Sequence, residues 1–503
     1  MKKTIHTLLC LSVALVATIF TSCSSDNDDP IPSVVKPDLV FYGLTPTNNL
    51  IKYNANNSTT AISTVTITGL QAGENLLAID FRPATGQLYG LGSTSRLYII
   101  HPASGIAKEI GIGPFAPALA GALSGFDFNP TVDRIRVVTS SGLNFRLNPE
   151  TGTIAGSDTN LNPGTPSIGS AAYTNNSSSA TTTELFTIDF TTRKLYKQDP
   201  PNAGILTAIG DIGVTSITGD GGFDISPSGV ALANFTTGGM NHLYQINITT
   251  GAATDLGMLS SNIIGLAIPT TPIAYAADAS NNLLVFNPTA IGTLVSKPIL
   301  LLQSSETILG IDMRPATGQL YALGSTGRIY TINTISGNAT MIGAAAIVLN
   351  GTDFGFDFNP LADRIRIVSN AGQNLRVNPN DGLLVAIDTS LSPGTPNVTA
   401  AAYLNNYAGT TTTVLYDIDS TTDMLYTQNP PNNGTLVGIG ALGINVTASN
   451  GFDIGGNSNI GYAILTVGGV NGFYTINTTT GAATLIASFP GSSIKGFTVG
   501  LGF

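Results

Sequence analysis

The stretch Ile79–Tyr89 reads IDFRPATGQLY, and Ile311–Tyr321 repeats it as IDMRPATGQLY. A second stretch, Gly125–Pro130, reads GFDFNP and returns unchanged as Gly355–Pro360. Both pairs are separated by about 230 residues, a fixed spacing that identifies an internal repeat. Agreement over stretches this long indicates that the chain contains one unit twice, in tandem.

A shorter period runs inside each copy. Leu97–Gly105 and Leu243–Gly251 both read as an alternating strand, a polar residue and a Gly turn, and Tyr330–Asn333 and Tyr474–Asn477 match them in the second copy. One cycle holds four short strands in about 40–50 residues, which is typical of a β-propeller blade. We count five cycles in each copy, and the first cycle of each lacks its innermost strand.

The end of each copy offers the missing strand, Ile263–Ile268 in the first and Lys495–Val499 in the second. Such borrowing closes a ring and removes an exposed sheet edge. The predicted fold class is therefore all-β, with two tandem five-bladed β-propellers at residues 39–268 and 273–503. A single ten-bladed ring is the alternative, because Pro269–Pro272, the break between the copies, is as short as an ordinary turn.

The composition restricts the class of partner. Charged residues make up only 10% of the chain, the formal net charge is −10, and no basic cluster follows Lys2 and Lys3. Nucleic-acid binding therefore lacks its electrostatic footprint. The only cysteines are Cys10 and Cys23, and there are three histidines, so neither a disulfide framework nor a multi-His metal site is expected.

Residues 1–22 have the layout of an export signal. Lys2 and Lys3 precede the apolar run Thr7–Phe20, which is shorter than a membrane span. Phe20–Cys23 resembles a bacterial lipobox, which implies cleavage before Cys23 and lipidation of its thiol and amine, palmitate included. The partner predicted here is a membrane, reached through the lipid. The alternative is an ordinary signal peptide with a chance cysteine.

Residues 23–38 read as a tether. Ser24–Asp29 is acidic and resembles the export tag of surface lipoproteins of Bacteroidota, and Pro30–Pro37 reads as an extended linker. We therefore expect an outer-membrane lipoprotein exposed at the cell surface. The alternatives are a solvated tether without an export role and a protein that faces the periplasm.

Aligning the innermost strands places six aspartates at one position, each between two apolar residues. They are Asp80, Asp127 and Asp224 in the first copy and Asp312, Asp357 and Asp453 in the second. The same alignment puts Thr174, Ala267, Leu404 and Thr498 at this position in the remaining cycles. Because side chains alternate between the two faces of a strand, the three carboxylates of each copy are predicted to converge on one axis.

Converging carboxylates allow three interpretations. They bind a hard cation such as Ca²⁺, with backbone carbonyls completing the shell. They act as acid, base and pKa modulator in glycan hydrolysis. Or each Asp ties its own strand to nearby N–H groups or to an Arg. The catalytic interpretation is weakened because both copies keep the carboxylates in one register, whereas an acid and a base need different environments.

Arginines recur at matching positions in a chain poor in charge. They are Arg82, Arg134 and Arg136 in the first copy and Arg314, Arg364 and Arg366 in the second. One interpretation is salt bridges between sheets, to neighbouring aspartates. The other is a fork of guanidinium groups that binds an anionic ligand.

These repeated motifs, together with Asp133–Arg136 and Gln428–Asn432, resemble the bacterial "domain of unknown function 4394" family. The resemblance covers both copies and nearly all of the mature chain. It implies a propeller-like fold, and the family brings no established activity with it.

We find no Ser-His-Asp set, P-loop or HExxH motif, and we assign no catalytic residue. The function expected from the sequence is a non-catalytic binding or scaffold module of the cell envelope, with an unknown protein or glycan partner. A glycan hydrolase dependent on the aspartates and a structural envelope protein are the alternatives.

Overall fold

The computed structural model describes residues 34–119, 124–218, 221–292, 294–447, 451–491 and 493–503. The predicted signal peptide, the lipidated Cys23 and the acidic segment lie outside these residues. Residues Pro37–Phe503 form one compact unit. No helix in the described part of the chain combines the length and apolar character needed to cross a membrane.

The described residues of the first half form twenty strands and one short 3-10 helix. They are β1 (Val40–Leu44), β2 (Asn49–Asn54), β3 (Ser63–Thr66), β4 (Leu76–Phe81), β5 (Leu88–Gly92), β6 (Leu97–Ile100), β7 (Ala107–Ile110), β8 (Ser124–Asn129), β9 (Arg134–Thr139), β10 (Asn144–Leu147), β11 (Ile154–Ser157), β12 (Ile168–Tyr173), β13 (Leu185–Asp189), β14 (Lys194–Gln198), the 3-10 helix Pro201–Ala203, β15 (Leu206–Asp211), β16 (Phe223–Ile225), β17 (Ala231–Thr237), β18 (Met240–Ile246), β19 (Ala253–Met258) and β20 (Gly265–Ala267).

The second half repeats this order. Its elements are β21 (Ala274–Asp278), β22 (Asn282–Phe286), β23 (Val295–Pro298), β24 (Ile308–Arg314), β25 (Gln319–Gly324), β26 (Ile329–Ile332), β27 (Ala339–Ile342), β28 (Phe354–Asn359), β29 (Arg364–Ser369), β30 (Asn374–Val377), β31 (Leu384–Ile387), β32 (Val398–Tyr403), β33 (Leu415–Asp419), β34 (Met424–Gln428), the 3-10 helix Pro431–Asn433, β35 (Leu436–Ala441), β36 (Gly451–Ile454), β37 (Gly461–Val467), β38 (Val470–Ile476), β39 (Ala483–Ser488) and β40 (Ile494–Val499).

The described strands build ten antiparallel sheets of four strands each, so the chain is all-β and propeller-like. Eight of the sheets are runs of four consecutive strands, from β4–β7 through β16–β19 in the first half and from β24–β27 through β36–β39 in the second. Burial decreases from the innermost to the outermost strand of a sheet. All of β12 is buried, for example, whereas half of the residues of β15, the fourth strand of the same sheet, are exposed.

The two remaining sheets join the ends of a half. Strand β20 pairs with β1, with Leu266 opposite Gly43, and β40 pairs with β21, with Thr498 opposite Tyr275. The prediction that the end of each copy completes its first sheet is therefore confirmed. Both added strands are innermost in their sheets, so the first sheet of each half gains its fourth strand.

The innermost strands contact one another in two closed cycles. In the first half the order is β4, β8, β12, β16, β20 and back to β4, and in the second it is β24, β28, β32, β36, β40 and back to β24. Glycine permits the close approach within each cycle. A Cβ atom added to Gly125 of β8 would lie 2.7 Å from the Cβ of Ala171 in β12, and one added to Gly355 would meet Ala401 at the same distance.

Apolar side chains fill the space between neighbouring sheets. Between β4–β7 and β8–β11 the core includes Leu91, Ile99, Phe126 and Val137. The two halves also contact each other directly, because the Tyr275 hydroxyl donates a hydrogen bond to the carbonyl of Ala84 at 2.9 Å. In each half, this packing orients one face of every inner strand toward the axis of that half. The candidate sites lie on these two axes.

Candidate functional site

The aspartates predicted to converge do so in each half. Asp80, Asp127 and Asp224 lie on the inner strands β4, β8 and β16, and one oxygen from each falls within 4.8 Å of the others. All three side chains are buried, at 1% exposure. In the described part of the chain, none of them forms an ion pair with Arg or Lys.

Each carboxylate accepts a hydrogen bond from the backbone of the next inner strand. Asp80 accepts from the N–H of Phe128 at 2.8 Å, and Asp127 accepts from the N–H of Tyr173 at 2.9 Å. Asp224 accepts from the N–H of Ile268 at 2.6 Å. These bonds join neighbouring sheets, because a backbone donor at the inner edge has no strand beside it. The interpretation that each Asp ties down its own sheet through nearby N–H groups or an Arg is corrected here, because these donors belong to the next sheet.

This pattern of donors corrects the alignment made from sequence. Tyr173 donates as Phe128 and Ile268 do, so the residue before it, Ala172, occupies the Asp position, and Thr174 does not. The corresponding residue of the second half is Ala402, in place of the predicted Leu404, because Tyr403 donates to Asp357. The reason is that β12 and β32 contain no Asp, so their sequences lack the residue that marks the register in the Asp-containing inner strands.

The second half repeats the cluster with one addition. One oxygen each from Asp312, Asp357 and Asp453 lies within 4.8 Å of the others, and all three side chains are buried. The hydroxyl of Thr498 lies 3.0 Å from an oxygen of Asp312 and 2.8 Å from one of Asp453. Ala267, which has no hydroxyl, lies at this position in the first half.

Burial raises the pKa of all six carboxyls above the ordinary value of an aspartate. It raises the pKa of Asp224 to about 7 and that of Asp453 to about 6, against the opposing effect of their hydrogen bonds. Repulsion from neighbouring carboxylates adds to burial in raising the pKa of Asp127 and Asp357. A proton or a cation is the species that relieves this repulsion.

The burial of the clusters differs from that of a glycosidase pair. In a glycosidase the two carboxyl groups flank the scissile bond, so the polysaccharide has to reach both of them. Here all six side chains are buried behind the inner strands. A polysaccharide has no path between these groups in this conformation.

Two of the predicted arginines join neighbouring sheets. The guanidinium of Arg82 donates to Asp133 through Nε at 2.9 Å and to the hydroxyl of Tyr89 at 3.2 Å. Its Nη1 also donates to the carbonyl of Gly318 in the second half, at 3.3 Å. Arg314 binds Asp363 in the same way as Arg82 binds Asp133. These contacts agree with the salt-bridge interpretation for both arginines.

Arg136 and Arg366 are buried at the centre of a polar network. Nη1 of Arg366 donates to Asp388 and to Asn374, both at 2.7 Å, and Nη2 donates to Asn432 at 2.8 Å. Arg136 makes the corresponding bonds, and both arginines are 2% exposed. Sequence reasoning missed the partners Asp158 and Asp388, although their recurrence at the repeat offset would have revealed them.

Arg134 and Arg364 differ from the other arginines. Both side chains are partly exposed, and Nη1 of each donates to the carbonyl of the preceding residue, Asp133 or Asp363, at 2.8 Å. Among the residues that the structure describes, neither guanidinium pairs with a carboxylate. This difference between residues two positions apart on one strand could not be predicted from the sequence.

Sequence reasoning also missed three buried polar side chains. Asn176 has no hydrogen-bond partner for either polar atom, and the Oδ1 atom of Asn406 lacks one as well. The amide of Asn406 lies 3.5 Å from Asp453. Asp417 is fully buried with no partner for either oxygen, and burial raises its pKa to about 8. Thr187 lies at its position in the first half.

Four-stranded antiparallel sheets around buried polar clusters define a repeated, all-β protein of the propeller-like class. Residues 49–267 and 282–498 both match the family described as "Domain of unknown function (DUF4394)". The chain belongs to this family, in two tandem copies.

Comparison with other proteins adds little on function. The chain is similar to the solved structure of the Dos1 propeller, at 15% identity over 65% of this chain and 85% of that one, with a TM-score of 0.27. It is also similar to a protein from Lactobacillus plantarum, at 13% identity over 65% of this chain and 98% of that one, with a TM-score of 0.30. No protein with a curated description matches the chain.

Proposed function

We propose that the two halves are separate five-bladed propellers. The contacts that support this lie at the ends of each cycle, where β20 meets β4 and β40 meets β24. A single ten-bladed ring needs β20 to contact β24 instead. With the closing strands included, the propellers span residues 39–268 and 273–503.

For the protein as a whole we propose a non-catalytic binding module of the cell envelope. The observation that carries this proposal is the burial of the six aspartates together with their hydrogen bonds to the backbone. All six are buried, and each accepts a backbone N–H bond, so their role is to join strands. Ligands of such a module are expected at its exposed loops and at hollows between sheets.

The test combines capture with an activity screen. The Cys23→Ser protein, immobilised, is expected to retain a protein or glycan from native envelope, and the Asp127→Asn/Asp357→Asn variant is expected to retain the same material. A glycan hydrolase would instead degrade polysaccharide in an Asp-dependent manner. Empty capture and an empty glycan array would contradict the binding proposal and favour a purely structural envelope role.

We propose further that Cys23 carries the lipid that anchors the protein in the outer membrane, facing the cell surface. The lipobox-like stretch and the acidic residues after it support this. In Cys23→Ala, the protein should lose incorporated palmitate and leave the membrane fraction. Protection of the wild-type protein from protease on intact cells would place it on the periplasmic side.

A cation on each axis is a second proposal, and Ca²⁺ is the candidate. Three carboxylates with oxygens within 4.8 Å of one another supply hard ligands in each half. Because a ligand of the native state stabilises that state, Ca²⁺ is expected to raise the melting midpoint and EDTA to lower it. The Asp127→Asn/Asp357→Asn variant should respond less. An equal midpoint in Ca²⁺ and in EDTA would rule the cation out.

A further inference from the structure

A hollow of about 200 Å³ opens between the third and fourth sheets of the second half. Its wall comes from β28 and β29 on one side and from Tyr403 and the 3-10 helix Pro431–Asn433 on the other. This volume is several times the roughly 30 Å³ that one water molecule takes up in the liquid, so the hollow has room for more than an inorganic ion.

Positive charge is concentrated in this hollow. Arg364, Arg366 and Arg376 all line it. Arg366 and Arg376 share one carboxylate, Asp388, with nitrogen–oxygen distances of 2.7 Å each. Arg364 has no carboxylate partner in the described part of the chain, because neighbouring Asp363 is paired with Arg314. The hollow therefore carries excess positive charge in a chain whose net charge is −10.

The buried acid Asp417 adds little negative charge near this hollow at neutral pH. Asp417 is the further carboxyl that interacts with Arg366, and burial raises its pKa to about 8. It is therefore mostly protonated near pH 7. The arginines keep their charge, since a guanidinium does not lose its proton in a protein.

The donors that remain free belong to Arg364. Only its Nη1 has a protein acceptor among the described residues, so Nε and Nη2 are available together. Two adjacent guanidinium donors match the two oxygens of a carboxylate. Arg366 already donates hydrogen bonds to Asn432 and Tyr403. Its guanidinium therefore stays in place and contributes positive electrostatic potential to the hollow.

The rest of the wall suits a sugar ring. Asn359 and Asn432 bring amide groups, which bond to hydroxyls, and Ile365, Ala362 and Pro431 bring apolar surface. A ligand that combines one carboxylate, several hydroxyls and an apolar ring face satisfies all three kinds of group.

We infer that this hollow binds an acidic sugar, with its carboxylate on Arg364. The inference rests on the proposed non-catalytic binding function and names its ligand class. It is independent of the axial aspartates, which do not line this hollow.

Calorimetric titration of the full-length Cys23→Ser protein with glucuronate tests this inference. We expect saturable binding of glucuronate that weakens with added NaCl, and no binding of glucose. Arg364→Ala should weaken glucuronate binding at least about tenfold, the equivalent of 1.4 kcal/mol. Arg193→Ala, which removes an exposed arginine of the first half, is the charge-matched control and should bind as wild type does.

The variants should keep their melting midpoints, because the Arg364 side chain makes a single bond to the preceding carbonyl. Equal affinity for glucuronate and inorganic sulfate would overturn the sugar assignment, and unchanged binding in Arg364→Ala would overturn the site. If envelope material is captured but glucuronate does not bind, this inference fails while the proposed function stands.

Discussion

The unfolding free energy of the metal-free protein is expected to fall as the pH rises from about 5 to 8. The cause is the axial aspartates, whose pKa values burial raises, to about 7 for Asp224 and about 6 for Asp453. A folded-state pKa above the unfolded value near 3.8 means that the native state holds protons which the unfolded chain has lost. The stability from these protons is present near pH 4 and disappears as the pH passes the folded pKa.

The expected size is about 1.4 kcal/mol per pH unit for each carboxyl that stays protonated in the native state only. Asp388 contributes little in this window, because its pKa is lowered, chiefly by the bonds from Arg376 and Arg366 that outweigh its burial. His101 opposes the trend below about pH 6.5, since burial lowers its pKa. One histidine against the six axial carboxyls and Asp417, whose pKa burial raises to about 8, leaves the net slope negative.

Urea unfolding at a series of pH values, in EDTA, measures this slope. The Asp127→Asn/Asp357→Asn variant keeps a side-chain oxygen for the N–H bonds of Tyr173 and Tyr403 but removes two titrating groups, so its slope should be shallower. Asp211→Asn, at an exposed carboxylate, is the matched control and should follow the wild type. Identical slopes in all three proteins would show that the axial carboxyls do not titrate in this range.

Replacing Arg366 by Met is expected to lower the unfolding free energy by about 3–5 kcal/mol at pH 7. The guanidinium is 2% exposed and donates to Asp388, Asn374 and Asn432. Met fills much of the volume but donates nothing, so these acceptors lose a partner in a site from which water is largely excluded. Arg376 still holds Asp388, which keeps the cost at the lower end of the range.

Arg364→Met is the control for this effect. It lies two residues away on the same strand, is partly exposed and donates one bond to a backbone carbonyl, so its cost should stay below about 1 kcal/mol. Guanidinium chloride unfolding of both variants gives the comparison. Similar costs for the two would mean that the buried network of Arg366 contributes no more to stability than a surface contact does.

Several elements follow from local sequence alone. Alternation and Gly turns predicted the strands, and the recurrence of Ile79–Tyr89 as Ile311–Tyr321 predicted that the second half repeats the first. The closing strands were predictable because each copy starts with one strand too few and ends with one too many. The Asp register at Asp80, Asp127 and Asp224 follows from period-two alternation.

The inner strand β12 shows where such reasoning fails. It contains no Asp to mark the register. The residue facing the axis is Ala172, two positions before the one that the alignment indicated. A shift of two positions keeps the side chain on the same face of the strand. The pattern of apolar residues therefore does not reveal such a shift. Only the donor to Asp127 identifies the correct residue.

The sequence by itself determined the duplication, the strand content and the residues that share an inner face, because these depend on neighbours along the chain. The tertiary structure decided what those residues contact. It placed each Asp against the backbone of the next sheet, and it buried Arg366 while leaving donors of Arg364 free. The physical reason is that burial and hydrogen-bond partners come from adjacent sheets, which are tens of residues away in the chain.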